Sequence, residues 1–257
     1  MKPVPRRRPK AGGYPRGDET RAQIITTALK VFGERGFDQA STRDIAAKAG
    51  VKTPALQYYF DGKEGLHRAC AQYIIDRALP TIKPSIARAK EAAQEAAQAA
   101  TKEVGLAALE ELLDALTDSL ADASTDSWSR FIMRGKHDGA GPGMEMIRDE
   151  LSTPILEAVT GLVAGITDSA SEEVNRLRTL LILGQIHWMH ARREEVFRIM
   201  RWPRLDATKL SLIKQTVREH TRLVLNGVGG IACPGKLKHS VASAGKSAKL
   251  ASSRKNV

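Results

Sequence analysis

Residues 41–63, STRDIAAKAGVKTPALQYYFDGK, limit the fold more than any other stretch, because one helical pattern stops at a glycine and another begins three residues later. Ser41 or Thr42 offers an N-cap, and Asp44 follows in the first turn, where a carboxylate meets the positive end of the helix dipole. Ile45, Ala46 and Ala49 supply a short apolar stripe. Gly50 adopts the left-handed, helix-ending conformation without steric cost, and Val51 can tuck back into a core. Thr53 then caps a second helix and Pro54 takes its first position, where a missing N–H costs nothing. The expectation is a helix, a tight turn at Gly50, and a second helix over residues 54–59.

So short a helix is unstable alone and must be held by neighbours. Val51, Leu56 and Phe60 suit that task; Lys52, Thr53, Ala55, Gln57, Tyr58 and Tyr59 would face outward. Small residues at its start let a backbone approach the major groove, Gln57 can read a base edge, and tyrosine hydroxyls can meet phosphates. Asp61-Gly62-Lys63-Glu64 opens a further helix, whose N–H groups with Lys63 form a phosphate site. The plainer alternative is an ordinary corner of a helical domain, since such turns are general.

Thr42-Arg43-Asp44-Ile45-Ala46, Ala49-Gly50-Val51, Tyr58-Tyr59-Phe60 and Lys63-Glu64-x-Leu66 together resemble the DNA-binding domain of the TetR family of bacterial transcription regulators. The resemblance reaches back through Arg21-Ala22-Gln23-Ile24-Ile25 and Phe32-Gly33-Glu34-Arg35-Gly36-Phe37, covering roughly residues 18–80. It implies a three-helix head that binds double-stranded operator DNA, a homodimer, and a small-molecule effector. Arg43 matches a position that can contact DNA in the family, although the residue alone reads equally as a solvent-exposed arginine. The DNA-contacting set on this reading is Thr42, Arg43, Lys52, Thr53, Pro54, Ala55, Gln57, Tyr58, Tyr59 and Lys63.

The rest of the chain fits an all-α protein. Alanine is abundant, aromatic residues make up 5%, and no run alternates β-branched and polar residues between turn signals. No apolar stretch is long enough to span a bilayer, and the basic N-terminus lacks the apolar segment of a signal peptide. Cys70 and Cys233 share no ligand-like spacing, which fits the reducing cytoplasm. The net charge of +11 belongs to the tails: residues 1–17 carry six basic side chains and no acid, and residues 229–257 carry another six. Taking these twelve from 40 leaves 28 basic against 29 acidic residues in a near-neutral body. Such tails are too poor in large apolar groups to fold. The N-terminal arm reads as a soluble tail or as a minor-groove arm beside the head, and the C-terminal tail as a solubilising one.

In order, the arm is followed by a helix from a cap at Asp18 to about Arg35, buried through Ile25, Ala28, Leu29 and Phe32, with Gly33 and Gly36 loosening its end. The helix starting near Lys63 should be kinked or interrupted by Pro80 and Pro84. Residues 81–101 read as an alanine-rich connector with too few large side chains for a core. Larger apolar residues begin near Lys102 and outline a body over residues 102–228: a helix ending near Ala123, an aromatic segment, a loop over 135–143, and helices over about 144–167, bent at Pro154, 172–200 and 207–228.

Ser129-Arg130-Phe131-Ile132-x-Arg134, Leu151-Ser152-Thr153-Pro154-Ile155-Leu156, Leu183-Gly184-Gln185-Ile186 and the Arg201-Trp202 turn resemble the C-terminal domain of CerR-type TetR members. This implies a ligand-sensing and dimer-forming domain. Trp128, Phe131, Arg134, Gln185, His187 and Trp188 are its candidate pocket residues, aromatics with a few polar neighbours. His187 and His190 share a helical face, as metal ligands sometimes do, but no third ligand can be named and no cofactor is indicated. Two alternatives remain at this point: a metal-dependent helical enzyme using that pair, and a sequence-indifferent architectural protein working through its tails. The last two helices carry Leu180, Leu181, Leu183, Ile186, Leu210, Ile213, Val217, Leu223 and Val224, which serve a four-helix dimer interface or packing within one subunit.

Overall fold

The computed structural model describes residues 15–99, 102–121, 124–137 and 141–227, and every regular element among them is helical. The basic arm through residue 14, the tail over 229–257 with Cys233, and residues 138–140 of the expected loop lie outside the described residues. Among the described residues no helix is long and apolar enough to cross a membrane.

The head is built on α1 (Pro15–Gln39), α2 (Thr42–Lys48), α3 (Thr53–Phe60) and the start of α4 (Gly62–Ala99). Ile24, Ile25, Ala28, Leu29 and Phe32 of α1 are buried against Ile45, Ala46, Leu56, Leu66 and Cys70. Asp18 lies in the first turn of α1 and not at its cap, because the helix begins at Pro15. Regular geometry ends at Gly36, whose φ of 79° only glycine adopts freely. Gly33 has a different role from the loosening expected of it: a Cβ there would stand 3.0 Å from Arg130 Cβ and 3.1 Å from the Phe131 nitrogen. It lets a helix of the body lie directly on α1.

α4 corrects one of the two expected outcomes, the interruption. It runs unbroken for 38 residues with Pro80 and Pro84 inside it, about 57 Å at 1.5 Å per residue. Each proline removes one backbone donor, but burial of Ile82, Ile86, Ala89 and Ala92 holds the segment in place. The alanine-rich run is therefore core: its small side chains let α4 lie close to α8, where a Cβ on Gly161 would stand 3.4 Å from Ala93 Cβ.

The body comprises α5 (Lys102–Asp118), a 3-10 turn (Ser119–Ala121), α6 (Ser124–His137), α7 (Met144–Ile147), a π-helical turn (Arg148–Ser152), α8 (Thr153–Thr167), α9 (Glu172–Ala191), α10 (Arg193–Met200) and α11 (Ala207–Asn226). α8 is its centre, with Val159, Leu162 and Val163 fully enclosed. The helix expected over about 144–167 is one uninterrupted helical run with Pro154 inside it, and the backbone departs from α-helical geometry in the π turn directly before the proline. The expected helix over 172–200 is divided at Arg192, whose φ and ψ of −123° and 34° leave helical space. On the surface, Lys214, Arg218 and Arg222 of α11 pair with Asp118, Asp114 and Glu110 of α5, one pair per turn along two antiparallel helices.

Candidate nucleic-acid interface and effector cavity

The α2–α3 corner is fixed by local chemistry. Ser41 Oγ accepts from the backbone N–H groups of Arg43 and Asp44, capping α2. Gly50 has φ of 67°, and the Val51 N–H returns to Ala46 O at 3.0 Å, so α2 ends where its glycine requires. Gln23 of α1 donates to Ala49 O at 3.1 Å and Arg35 pairs with Asp44, which together tie the turn to α1. α3 begins at Thr53 with Lys52 as its cap residue and no side-chain cap, so Thr53 is a helix residue and not the expected cap. Leu56 and Phe60 are buried, which turns the opposite side of α3 to solvent.

Thr42, Thr53, Pro54 and Gln57 line one shallow groove between the start of α2 and α3. Arg43 and Lys52 are exposed, Ala55 is half-buried, and Tyr58 is 73% exposed while its neighbour Tyr59 packs partly on the core. Gln57 Nε2 donates to Asp61 Oδ1 at 3.1 Å. Asp61 ends α3 in the left-handed conformation, with φ of 56°. Lys63 is turned into the α1–α4 corner, donating to Asp38 O at 3.0 Å with its ammonium 4.6 Å from the Phe37 ring centre. Two ammonium donors remain for a phosphate. The sequence reading missed Gly65: a Cβ there would lie 1.6 Å from Phe60 O, so α4 crosses the end of α3 at backbone contact.

A joint between head and body was also missed. His67 of α4 is 2% exposed, and its ring lies 5.0 Å from Phe32 and Phe37 and 4.6 Å from Phe131, centre to centre. Nδ1 accepts the Gly143 N–H at 3.0 Å. Burial, with Lys63 and Arg68 adding to it, holds the imidazole at a pKa of about 4, so it is neutral and available as an acceptor near pH 7. Cβ atoms on Gly141 or Gly143 would stand 2.9 and 2.7 Å from His67 atoms, so the loop leading into α7 reaches this ring only through glycine.

A cavity of about 590 Å³ lies within the body, between α4, α5, α6, the α7–α8 region and α9. Its wall includes Ile74, Ile82, Leu116, Trp128, Ile132, Ile147, Leu151 and Ile155, with Arg77, Thr81, Asp118, Ser119, Ser129, Ser152, His187 and His190 as polar members. His190 meets Ser119 Oγ at 3.0 Å and Ser129 Oγ at 3.4 Å, and burial lowers its pKa. Of the six candidate pocket residues, the structure brings together Trp128 and His187. Phe131 fills the His67 joint, Arg134 is half-buried off the cavity wall, Gln185 meets His220 at 2.8 Å, and Trp188 is 48% exposed on the outer face of α9. The α4 face carrying Arg77 and Thr81, one turn apart, was the available signal for the missing wall. Among the described residues no three His, Cys, Asp or Glu side chains are grouped to hold a metal.

A short, exposed α3 set at a glycine turn from α2 and backed by a large helical body defines a helix-turn-helix DNA-binding protein. Residues 24–70 match the family described as "Bacterial regulatory proteins, tetR family", and residues 107–228 match the C-terminal domain of the HTH-type transcriptional dual regulator CecR. The domain resembling the CerR type is thus matched under the name CecR. CecR from Shigella flexneri is 31% identical over 215 residues, 83% of this chain and 94% of the relative. A TetR-like regulator structure from Rhodococcus sp. RHA1 aligns at TM-score 0.54 and 17% identity, over 81% of this chain and 97% of that one. A regulator structure from Pseudomonas aeruginosa PAO1 aligns at TM-score 0.55 and 15% identity, over 82% and 92%. The chain belongs to the TetR family of transcriptional regulators.

Proposed function

We propose that the chain is a ligand-responsive repressor that acts in the cytoplasm as a homodimer, each subunit placing α3 in the major groove of one half of a pseudo-palindromic operator. Residues 18–80 form the reading head, 81–101 the connection and 102–228 the sensing and dimerising body. Thr53, Pro54, Ala55 and Gln57 approach base edges, and Thr42, Arg43, Lys52, Tyr58, Tyr59 and Lys63 hold phosphates. One observation carries the ligand response: cavity and head share two elements. α4 contributes Arg77 and Ile82 to the cavity and His67 to the joint, and residues 141–152 contribute Ile147 and Leu151 to the cavity and Gly143 to the same joint. A molecule that alters the spacing of these walls alters how the head is held. By linkage, operator DNA then changes the affinity for that molecule by the same factor.

The test is selection of bound fragments from random or genomic DNA by the full-length chain, with and without small-molecule extracts. The expected result is an inverted-repeat consensus whose occupancy changes with the effector fraction. Operator preference should survive removal of residues 1–17 and 229–257, with a smaller dependence on salt. A strictly monomeric protein that is indifferent to every duplex would overturn the proposal.

A further inference from the structure

We propose that the body cavity takes an amphipathic organic oxyanion, a carboxylate or phosphate on an apolar frame, with Arg77 as the anchor of its charged end. This rests on reading the cavity as the effector site. Most of the wall is hydrocarbon, with Ile74, Ile82, Trp128, Ile132, Ile147 and Leu151 as its larger members, so the occupant's bulk is apolar. Its polarity is decided by the charges left unmatched on the wall. Asp118 is paired with Lys214, Oδ1 to Nζ 2.6 Å, which offsets its charge. His190 is neutral and bonded within the protein: Ser119 Oγ donates to Leu116 O at 2.6 Å and meets His190 Nε2, and Ser129 meets Nδ1.

Arg77 is different. No carboxylate pairs with it among the described residues, and the positions one turn away on α4 are Tyr73, Ile74, Pro80 and Thr81, none of them acidic. The nearby Asp76 accepts instead from Gln72 Nε2 at 2.8 Å. The Arg77 guanidinium lies 3.6 Å from the Tyr73 ring centre, and Tyr73 in turn meets Trp128 edge-on at 6.3 Å. Stacking leaves the N–H donors of a guanidinium free for the two oxygens of a carboxylate or phosphate. Thr81, on the same face, adds a hydroxyl. Arg77 thus holds a guanidinium above an apolar chamber with no carboxylate partner among the described residues.

Decanoate, decyl phosphate, 1-decanol and decyltrimethylammonium share one apolar body and differ at one end. Each is titrated into full-length protein at constant ionic strength, with calorimetry and tryptophan fluorescence as readouts. The anions should bind about tenfold or more tightly than decanol, with the cation weakest, and the tighter anion identifies the headgroup. Arg77→Gln, at an exposed position, should bring the anions down to decanol's affinity without changing decanol binding or the melting temperature; Arg77→Lys should keep part of the preference. The assignment is overturned if decanol binds as tightly as the anions, or if Arg77→Gln leaves their advantage intact, and in both cases the cavity reading survives. If none of the four binds, the assignment fails together with that reading.

Discussion

Gln57 has one amide and two claims on it. In the free protein it donates to Asp61, the residue that ends α3, and in a groove the same amide is the one long enough to reach a base edge. Gln57→Ala should therefore lose about 1–3 kcal/mol of discrimination at one position of each half-site, measured on a panel of operator variants, while affinity for unrelated DNA stays nearly constant. Gly65 has no such choice. A methyl group there meets Phe60 O at 1.6 Å, so Gly65→Ala must push α3 off α4. The expected result is a loss of about 1–3 kcal/mol in urea unfolding and weaker binding to every operator variant. No sequence pattern marks Gly65, because its constraint is the crossing of two backbones. Gly50, in contrast, was legible because its left-handed conformation is a local need.

At the scale of elements, the helix-turn-helix was readable from caps, turn and apolar spacing, and the body was readable only in outline. Pro80 and Pro84 are local signals to stop, and in α4 they lose to packing on both sides of them. Phe131 fits a pocket by residue type alone; its neighbours, Phe32 and His67, come from the head and leave no trace in its own helix. The His67 joint makes a prediction of its own. The folded pKa of about 4 lies below the ordinary 6.5, so the unfolded chain binds the proton more readily. Stability from this ring is therefore complete above about pH 6.5, falls by about 3 kcal/mol as pH drops to about 4, and levels off below that. Urea unfolding across this range should show the slope. His67→Asn, which keeps an acceptor near Nδ1 but cannot titrate, should flatten it.

Across the whole molecule, the structure divides residues that the sequence left undivided. Ile186, Ile213 and Val217 are buried within the subunit, whereas Leu180, Leu181, Leu223 and Val224 are exposed. On α9, Leu177, Leu180, Leu181 and Trp188 form one apolar stripe with Gly184 open at its middle. Exposed apolar area of this kind, with Leu212 and Leu223 also exposed on α11, suits a second copy of the chain. Leu181→Glu combined with Leu223→Glu should give a monomer by sedimentation, with operator affinity falling towards that of a half-site and the thermal unfolding of the subunit little changed.

The uninterrupted length of α4 sets the mechanical gain of such a dimer. A continuous helix of 38 residues, about 57 Å along its contour, turns angle into travel: tilted as a unit about one end by only about 4°, it would carry the other through about 4 Å, more than the roughly 3.4 Å between stacked base pairs. On the dimeric reading proposed above, a displacement too small to disturb the packing around an occupant would be enough to put one reading surface out of step with its twin by a full base pair.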